Sequence, residues 1–321
     1  MPDSADRISA RCPWCRASMR PRFSVRCDWR LPEPAEPWTV HWCGACHYGA
    51  VRPSPEPEEV AGFYPEDYYT HEVDHAANQA RSFGSRLRQH LAWRTSHEAG
   101  DTPAFLRGFL PEATHIRVLD LGCGNGVALA PFRAAGMEVI GVEPDDRARA
   151  VAAAQLDAVY PGTAEAPPDS LEEASFDCVR VCHALEHCVD PGRALDRAIR
   201  FLRPGGVLML ETPNSDALGF EQQLGAWPWT DIPRHLHFFS ARSLQRACEQ
   251  RGLTVETCDY RGFGRQLTDG WLAAEQRIHA VLHPDAAPPR VGVRAWRLLL
   301  RSFFASRARK YDSVYLIARR P

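Results

Sequence analysis

Several features are absent from this sequence of 321 residues, and each absence excludes a class of protein. No run of about 18 or more apolar residues occurs, so no segment is predicted to cross a bilayer. The amino-terminal residues include Asp3 and Asp6 and lack a basic segment followed by a hydrophobic one, so they do not resemble a secretory signal. We therefore expect a cytoplasmic protein.

The sequence also lacks an excess of either charge. Its 38 lysine and arginine residues nearly balance 40 aspartate and glutamate residues, which leaves a net charge of -2. Because contacts from basic side chains to phosphates supply most of the affinity for nucleic acids, a nucleic-acid partner is disfavoured. The composition that remains, 45% hydrophobic residues in a chain of this length, is typical of a globular protein with about two domains.

The eleven cysteines are better explained as reduced thiols or metal ligands than as disulfides, because no secretory signal accompanies them. Two C-x-x-C pairs stand out, namely Cys12 with Cys15 and Cys43 with Cys46. Each pair can form a tight knuckle that offers two thiolates to one tetrahedral Zn²⁺. The pattern predicts a structural zinc site, and a redox dithiol is the alternative that the spacing leaves open.

Three domains are predicted along the chain. Residues 1–60 form a zinc-ribbon module, which ends in the proline-spaced connector that follows Arg52. Residues 61–110 form an aromatic and helical linker, in which Tyr68 is a candidate for the edge of a substrate pocket. Residues 111–321 form an α/β domain, in which 261–311 is a helical insertion that could act as a lid.

A buried strand that ends at Asp120 is followed by Gly122, Gly124 and Gly126 and then by a helical pattern from Val127 to Ala135. A strand, a glycine turn and a helix form the first unit of a doubly wound α/β domain that binds nucleotides. The spacing G-x-G-x-G differs from the dinucleotide fingerprint G-x-G-x-x-G, which favours S-adenosylmethionine over NAD. The next strand ends in Glu143, a carboxylate that can accept hydrogen bonds from both hydroxyls of a ribose.

Four landmarks, in this order and spacing, resemble the class I S-adenosylmethionine-dependent methyltransferases. They are 119–126, 141–145, 175–179 with 185–187 behind it, and 202–208. The resemblance implies a Rossmann-like seven-stranded doubly wound sheet whose last strand, Ser313 to Ala318, runs antiparallel and forms a hairpin with Leu253 to Tyr260. It also implies a set of cofactor-binding residues at the strand ends: Asp120, Gly122, Cys123, Gly124, Gly126, Glu143, Pro144, Ala164, Glu165 and His183. Thr163 stands where relatives often have Asp, so the backbone of Ala164 or the carboxylate of Glu165 is expected to bond the adenine amine.

Methyl transfer to oxygen or carbon requires a base, and two groups of histidines supply candidates. The first group, His183, Glu186 and His187, resembles the Glu-x-x-Glu-His motif of quinone O-methyltransferases, which binds a divalent metal. A structural turn is the favoured interpretation of this segment. His183 is nevertheless a catalytic candidate, and Glu186 and His187 are substrate-binding candidates.

The second group follows the fifth strand and contains Arg234, His235 and His237 among large aromatic residues. It resembles the acceptor loop of bacterial methyltransferases with an amino-terminal zinc module, including sugar C-methyltransferases. We predict His235 as the general base, with Arg234 or His237 binding the acceptor. The position after the fourth strand lacks the Asn/Asp-Pro-Pro-aromatic turn of base methyltransferases, which further disfavours a nucleic-acid substrate.

The resulting hypothesis is methyl transfer from S-adenosylmethionine to an oxygen or carbon of a small glycosyl or secondary-metabolite acceptor. The first alternative is an O-methyltransferase of a quinone-like or polyketide acceptor with a divalent metal. The second alternative is a non-catalytic zinc-ribbon scaffold that retains cofactor binding. The segment from Arg290 to Lys310 is basic and apolar by turns, which suits packing on the sheet and, as a less favoured option, an anionic membrane surface. The sequence gives no prediction of the oligomeric state.

Overall fold

A computed structural model describes residues 11–31, 37–64, 82–96 and 102–321 of the chain. The strands, in chain order, are β1 (Arg20–Val25), β2 (Trp38–Cys43), β3 (Tyr48–Arg52), β4 (Arg117–Leu121), β5 (Glu138–Glu143), β6 (Ala158–Pro161), β7 (Phe176–Cys182), β8 (Leu202–Pro213), β9 (His237–Phe238), β10 (Thr254–Arg261) and β11 (Ser313–Arg319). The α-helices are α1 (Pro57–Val60), α2 (Phe83–Thr95), α3 (Pro103–Phe109), α4 (Ala130–Ala134), α5 (Asp146–Ala152), α6 (Pro191–Phe201), α7 (Leu218–Gln223), α8 (Ala241–Glu249), α9 (Asp269–Leu282), α10 (Val291–Ser302) and α11 (Arg307–Lys310).

The chain divides into two compact units. The first unit collects three stretches, Met1–Glu98, Pro213–Ser240 and Tyr260–Val314. The second unit collects Ala99–Thr212, Ala241–Asp259 and Tyr315–Pro321. The boundaries predicted at residues 60 and 110 stay predictions.

A seven-stranded sheet, in the order β10-β11-β8-β7-β4-β5-β6, forms the framework of the second unit. The pairs β4 with β5, β4 with β7, β5 with β6 and β7 with β8 are parallel. The last strand runs the other way, because Arg320 just after its end exchanges backbone hydrogen bonds with Gly205 and Gly206 near the start of β8. The predicted seven-stranded α/β fold with an antiparallel last strand is therefore confirmed.

The central parallel strands β4, β5 and β7 are rich in apolar residues and almost wholly buried, as expected for strands covered on both faces. Helix α6 covers one face with apolar residues at helical spacing, among them Ala194, Leu195 and Ala198. The Asp190 side chain caps this helix by accepting the Arg193 N–H at 3.0 Å. Helix α4 is shorter than the predicted run from 127 to 135, and residues 127–129 form turns before it.

The first unit contains a four-stranded sheet in the order β1-β2-β3-β9. Its first three strands are an antiparallel meander. Its fourth strand comes from far along the chain, with Ala50 opposite His237 and Gly49 opposite Phe238. The two-residue strand β9 carries no periodic pattern, so the sequence does not predict this pairing.

The predicted helical insertion before the last strand is also confirmed, as helices α9, α10 and α11. Its apolar side chains join a core of the first unit that includes Leu272, Leu298 and Leu299 together with Phe263 and Tyr311. None of the helices in the described part of the chain is long and apolar enough to span a bilayer. The role of the insertion as a lid stays a prediction.

Candidate active site

The glycine turn after β4 requires backbone that other residues rarely adopt. Gly122, Gly124 and Gly126 have φ angles of 90°, 54° and 73°. A Cβ atom on Gly122 would lie 2.6 Å from the Cβ of Ala184. The three predicted glycines therefore form a tight turn, and at Gly122 the absence of a side chain allows close packing against Ala184.

Glu143 ends β5 beside this turn. Its Oε2 accepts the N–H of Gly124 at 2.9 Å, and its Oε1 accepts the N–H of Asp145 at 3.1 Å. Burial raises the pKa of this carboxyl, against the lowering effect of the two backbone hydrogen bonds. Because a carboxylate oxygen has two lone pairs, each oxygen can still accept a further hydrogen bond from a hydroxyl. The turn and the carboxylate thus lie together, in an arrangement that fits the ribose of a nucleoside cofactor.

Asp120 and Cys123 flank the turn from inside the second unit. Asp120 is buried, and its Oδ2 lies 4.0 Å from Nη1 of the buried Arg180. Burial, together with the charges of Asp120 and Glu143, raises the pKa of the Cys123 thiol well above its usual range. The Cys123 thiol is therefore neutral under ordinary conditions, and cofactor binding by Asp120 and Cys123 stays a prediction.

Glu165 is engaged by the backbone at the start of α6. Its two carboxylate oxygens accept the N–H groups of Val189 at 3.1 Å and Asp190 at 2.7 Å. Thr163 accepts the Ala166 N–H through its hydroxyl at 3.1 Å, and Ala164 between them is buried. These contacts fix the shape of the loop, and the predicted adenine contacts of Ala164 and Glu165 stay predictions.

His183 lies just after β7 with a φ angle of 52° and faces two carboxylates. Its Nδ1 is 3.4 Å from Oε1 of Glu186, and its Nε2 is 3.4 Å from Oε1 of Glu211. Burial by itself would lower the pKa of His183, but the hydrogen bonds and charges of the two glutamates raise it to about 9. The imidazole is therefore protonated at neutral pH and acts as a donor there. A catalytic role for His183, and metal or substrate binding by Glu186 and His187, stay predictions.

Sequence reasoning missed Glu211, the second partner of His183. It stands near the end of β8, after the apolar run 207–210, and is only 8% exposed. An acidic residue that ends an apolar strand is the same signal that identified Glu143. Applied to every strand, that rule would have found it.

His235, in the first unit, has a defined tautomer. It is 3% exposed, and its Nδ1 lies 2.7 Å from the backbone oxygen of Trp229. A carbonyl can only accept, so Nδ1 carries a proton, and in the neutral imidazole the lone pair is on Nε2. The ring stacks on the indole of Trp229, with 6.2 Å between centroids and 15° between planes.

His237 is held by the amino-terminal sheet. Its Nδ1 lies 2.5 Å from the hydroxyl of Tyr48, and the two rings are stacked with centroids 5.8 Å apart. Phe239 packs beside it at 6.1 Å. These contacts give His237 a packing role, and its predicted role toward an acceptor stays a prediction.

Arg234 is fully buried in a cluster of ionic contacts within the first unit. Nη1 and Nη2 each donate to an oxygen of Asp28 at 2.6 Å, while Nε and Nη2 donate to Asp231 at 3.1 and 3.0 Å. Nη1 also donates to the backbone oxygen of Phe63 at 2.8 Å. All five N–H groups of the guanidinium are thereby used inside the protein. These contacts give Arg234 a structural role, and acceptor binding by it stays a prediction.

Asp28 and Asp231, which sequence reasoning also missed, are the partners that make this burial of Arg234 tolerable. The pKa of Asp231 is held well below its usual range, because the charges of Arg234 and Arg30 outweigh the effect of burial. Arg30 donates to Asp231 from nearer the surface at 3.1 Å. Asp231 is close to Arg234 in sequence, but no pattern connects Arg234 with Asp28, which lies 206 residues away.

The four predicted cysteine ligands come together. The sulfurs of Cys12, Cys15, Cys43 and Cys46 all lie within 4.8 Å of one another. The Sγ atoms of Cys15 and Cys43 are 3.5 Å apart, close to the separation of about 3.8 Å that a tetrahedral zinc with bonds of about 2.3 Å requires. Four thiolates in this geometry fit a structural zinc ion. Two predicted site residues remain. The backbone oxygen of Pro144 accepts a hydrogen bond from Nη1 of Arg149 at 2.7 Å, and its role toward the cofactor stays a prediction. Tyr68 lies outside the described residues.

Each C-x-x-C pair is followed by a residue in the left-handed backbone conformation. Arg16 and His47, the residues directly after the second cysteine of each pair, have positive φ angles of 61° and 51°. The second knuckle is bonded to residues 213–240, because Ser240 donates to the Cys46 carbonyl at 3.0 Å and Ser215 donates to the His47 carbonyl at 3.2 Å. The knuckle and this later segment therefore form one structural element.

Comparison with known proteins points to one family. The profile of the methyltransferase domain family matches residues 89–257, just over half of the chain. A ubiquinone biosynthesis O-methyltransferase of Nitrobacter winogradskyi is 35% identical over 155 residues, which cover 44% of this chain and 57% of that protein. The human mitochondrial ubiquinone biosynthesis O-methyltransferase is 32% identical over 160 residues, covering 44% of this chain and 42% of that protein.

These matches are partial, since the chain spans about half the length of these two curated relatives. Among solved structures, an S-adenosylmethionine-dependent methyltransferase of Archaeoglobus fulgidus is similar with a TM-score of 0.47 and 19% identity. That similarity covers 68% of this chain and 92% of the other.

Proposed function

Because the chain belongs to the methyltransferase domain family, we propose that it is an S-adenosylmethionine-dependent methyltransferase that methylates an oxygen of a small acceptor. The observation that carries the proposal is the hydrogen bond between Glu143 and the Gly124 N–H, because it sets a carboxylate suited to bind a ribose against the glycine turn inside the matched residues. The relatives named ubiquinone biosynthesis O-methyltransferase favour oxygen as the acceptor atom and a phenolic ring as its carrier.

The residues of the second unit fit S-adenosylmethionine. The turn of Gly122, Gly124 and Gly126, with the buried Asp120 before it, would hold the methionine end, and Glu143 would accept hydrogen bonds from the ribose hydroxyls. When bound, the cofactor supplies a methyl group on a positively charged sulfur, which is already electrophilic. The chain then has to orient the acceptor oxygen and remove its proton.

We assign proton removal to His235. The hydrogen bond from Nδ1 to the Trp229 carbonyl supports this role, because it leaves the lone pair on Nε2. Stacking on Trp229 and burial support it further, since both restrict the orientation of the ring. His183 is less suited to the task, because a pKa of about 9 keeps it protonated at neutral pH.

We also propose that Cys12, Cys15, Cys43 and Cys46 bind a structural zinc ion that holds residues 213–240 in place. The hydrogen bonds from Ser215 and Ser240 to the second knuckle support this role. So does the pairing of His237 and Phe238 with β3, the strand that begins two residues after Cys46.

The proposal is tested by methyl transfer from labelled S-adenosylmethionine to a panel of phenols, catechols and nucleotide sugars. We expect a methyl ether on a phenolic acceptor. His235→Gln should lower kcat by about 100-fold or more with unchanged affinity for the cofactor, because a general base contributes about that much. His279→Gln, a histidine of helix α9, is the matched control and should keep full activity.

Other outcomes distinguish the alternatives. A methylated sugar would favour the glycosyl acceptor, and loss of activity on chelation with the zinc site still loaded would favour a divalent metal near His183. Binding of S-adenosylmethionine without transfer to any acceptor, in the wild type as in His235→Gln, would favour the scaffold.

A further inference from the structure

Helix α10 and the turn after it present a face of alternating apolar and basic side chains, which we call the basic–apolar face. Its apolar members are Val293, Leu300, Phe303 and Phe304, with exposures of 48%, 59%, 49% and 94%. The opposite side of the helix, formed by Ala295, Leu298, Leu299 and Ser302, is buried in the first unit. The helix therefore packs on its own unit, as the favoured sequence interpretation has it, and still leaves a second apolar face exposed.

Positive charge surrounds this face. Between Asp285 and Asp312 the sequence has no acidic residue, whereas it has seven basic ones: Arg290, Arg294, Arg297, Arg301, Arg307, Arg309 and Lys310. Arg294 is paired with Glu275 and is thereby neutralised. Glu221 is shared by Arg309 and by Arg301, whose Nη2 lies 3.9 Å away, so one carboxylate faces two arginines and one positive charge of this pair is left. Arg290, Arg297 and Arg307 are exposed and leave the face positively charged.

The chemistry of the face selects its partner. Exposed phenylalanines in a globular protein lose water favourably when they enter an apolar phase. Arginines beside them favour a surface that carries negative charge. A second copy of the same face would bring arginines against arginines, so self-association through it is opposed by repulsion. A bilayer with anionic headgroups supplies both negative charge and an apolar interior at the depth that such a face reaches.

We propose that the basic–apolar face binds the surface of an anionic lipid bilayer. Phe303 and Phe304 enter the boundary between headgroups and acyl chains, while Arg297 and Arg301 contact the lipid phosphates. The core side of α10 stays packed, so the unit remains folded on the membrane. The protein is in this way peripheral to the bilayer.

The test is co-sedimentation of the full-length protein with vesicles of phosphatidylcholine containing phosphatidylglycerol, against phosphatidylcholine alone. We expect binding to the anionic vesicles that weakens as salt is raised, because exposed charges are screened. The double variant Phe303→Ser/Phe304→Ser should lower the partition coefficient by about tenfold or more. Val151→Ser, an exposed apolar residue of helix α5, is the matched control and should bind like the wild type.

A second pair of variants tests the charge. Arg297→Gln/Arg301→Gln should lower partitioning by about thirtyfold, whereas Arg242→Gln/Arg246→Gln on helix α8 removes two arginines elsewhere and should have little effect. Circular dichroism of each variant checks that it is folded. Equal binding to neutral and anionic vesicles, absence of binding, or equal losses in the test and control variants would overturn the proposal. So would a concentration-dependent dimer that the phenylalanine variant abolishes while vesicle binding is absent.

Discussion

At the scale of single residues, the polar contacts of the second unit depend on buried glutamates at the ends of strands. Glu143 at the end of β5 and Glu211 near the end of β8 are both buried, and each faces a donor. Burial alone would disfavour their charged forms, so the donors are what make these positions tolerable. The two glutamates differ in their partners, because one meets backbone amides and the other meets an imidazole.

Glu143→Gln keeps the size of the side chain and removes its charge. We expect about a 10- to 100-fold loss of affinity for S-adenosylmethionine, because hydrogen bonds to a charged group contribute about 1.5–3 kcal/mol each. Calorimetric titration of each variant with S-adenosylmethionine measures this affinity. Glu138→Gln, at the other end of the same strand and paired with Arg117, is the matched control and should bind the cofactor normally. Equal affinities for both variants would refute the ribose role of Glu143.

His183 gives a prediction of pH dependence. Its pKa of about 9 in the folded protein lies above the ordinary value of 6.5, so its protonation stabilises the fold fully below pH 6.5. That stabilisation is lost as the pH rises through about 9. The difference in free energy of unfolding between wild type and His183→Gln should therefore shrink over this interval, as urea titrations at several pH values can measure. A constant difference would show that the two glutamates do not raise the pKa.

Glu211→Gln provides an independent check on the same contact. Removal of one carboxylate should lower the pKa of His183, which NMR titration of the imidazole reports directly. An unchanged titration midpoint would mean that Glu211 does not act on the ring.

At the scale of elements, the segment 213–240 is defined by what it bonds to. Its end forms β9 in the four-stranded sheet, and Arg234, three residues before β9, lies between two aspartates. Both features need a partner from the amino-terminal part of the chain, β3 for β9 and Asp28 for Arg234. Contacts with residues distant in sequence therefore hold the segment 213–240 in place.

Arg234→Ala should destabilise the protein by about 3–5 kcal/mol, because it leaves the buried carboxylates of Asp28 and Asp231 without their main counter-charge. Arg30→Ala is the control. It removes a partner of Asp231 whose side chain is 35% exposed, so about 1 kcal/mol or less is expected. Chemical unfolding of both variants measures the free energy of unfolding. Equal decreases in the two variants would contradict the central role given to Arg234.

The sequence was informative where a pattern is local and failed where a contact is distant. The glycine turn, Glu143 and the two C-x-x-C pairs are each recognisable within a few neighbouring residues, and the structure brings their members together. The pairing of β3 with β9 and the burial of Arg234 depend on residues from opposite parts of the chain. Two-residue strands and single ion pairs have no periodicity, so no local sequence pattern predicts them.

At the scale of the whole molecule, the chain enters each compact unit more than once. The four cysteines and the segment 213–240 belong to the same unit despite their distance in sequence. The zinc knuckles therefore lie in the same unit as residues 213–240, which the sequence analysis assigns to the α/β domain. A metal ion in the first unit is expected to influence that later segment.

Removal of zinc should loosen this segment as well as the knuckles. We expect about tenfold or faster hydrogen exchange of backbone amides in 37–52 and 213–240 of Cys46→Ser, measured by mass spectrometry together with the zinc content. Cys258→Ser, a cysteine of β10 outside the cluster, is the control and should retain both zinc and protection. Protection that persists in 213–240 after the zinc is lost would separate the segment from the metal.

Strand β9 is translated long after β1, β2 and β3, and this order affects folding during synthesis. Tyr48 and His237 are 189 residues apart, so a ribosome releases the first three strands long before the fourth. During that interval the apolar strand β3 has an open edge, which is a site where nascent chains can pair with one another. An isolated amino-terminal fragment would keep that edge of β3 unpaired, because its partners are residues 237 and 238.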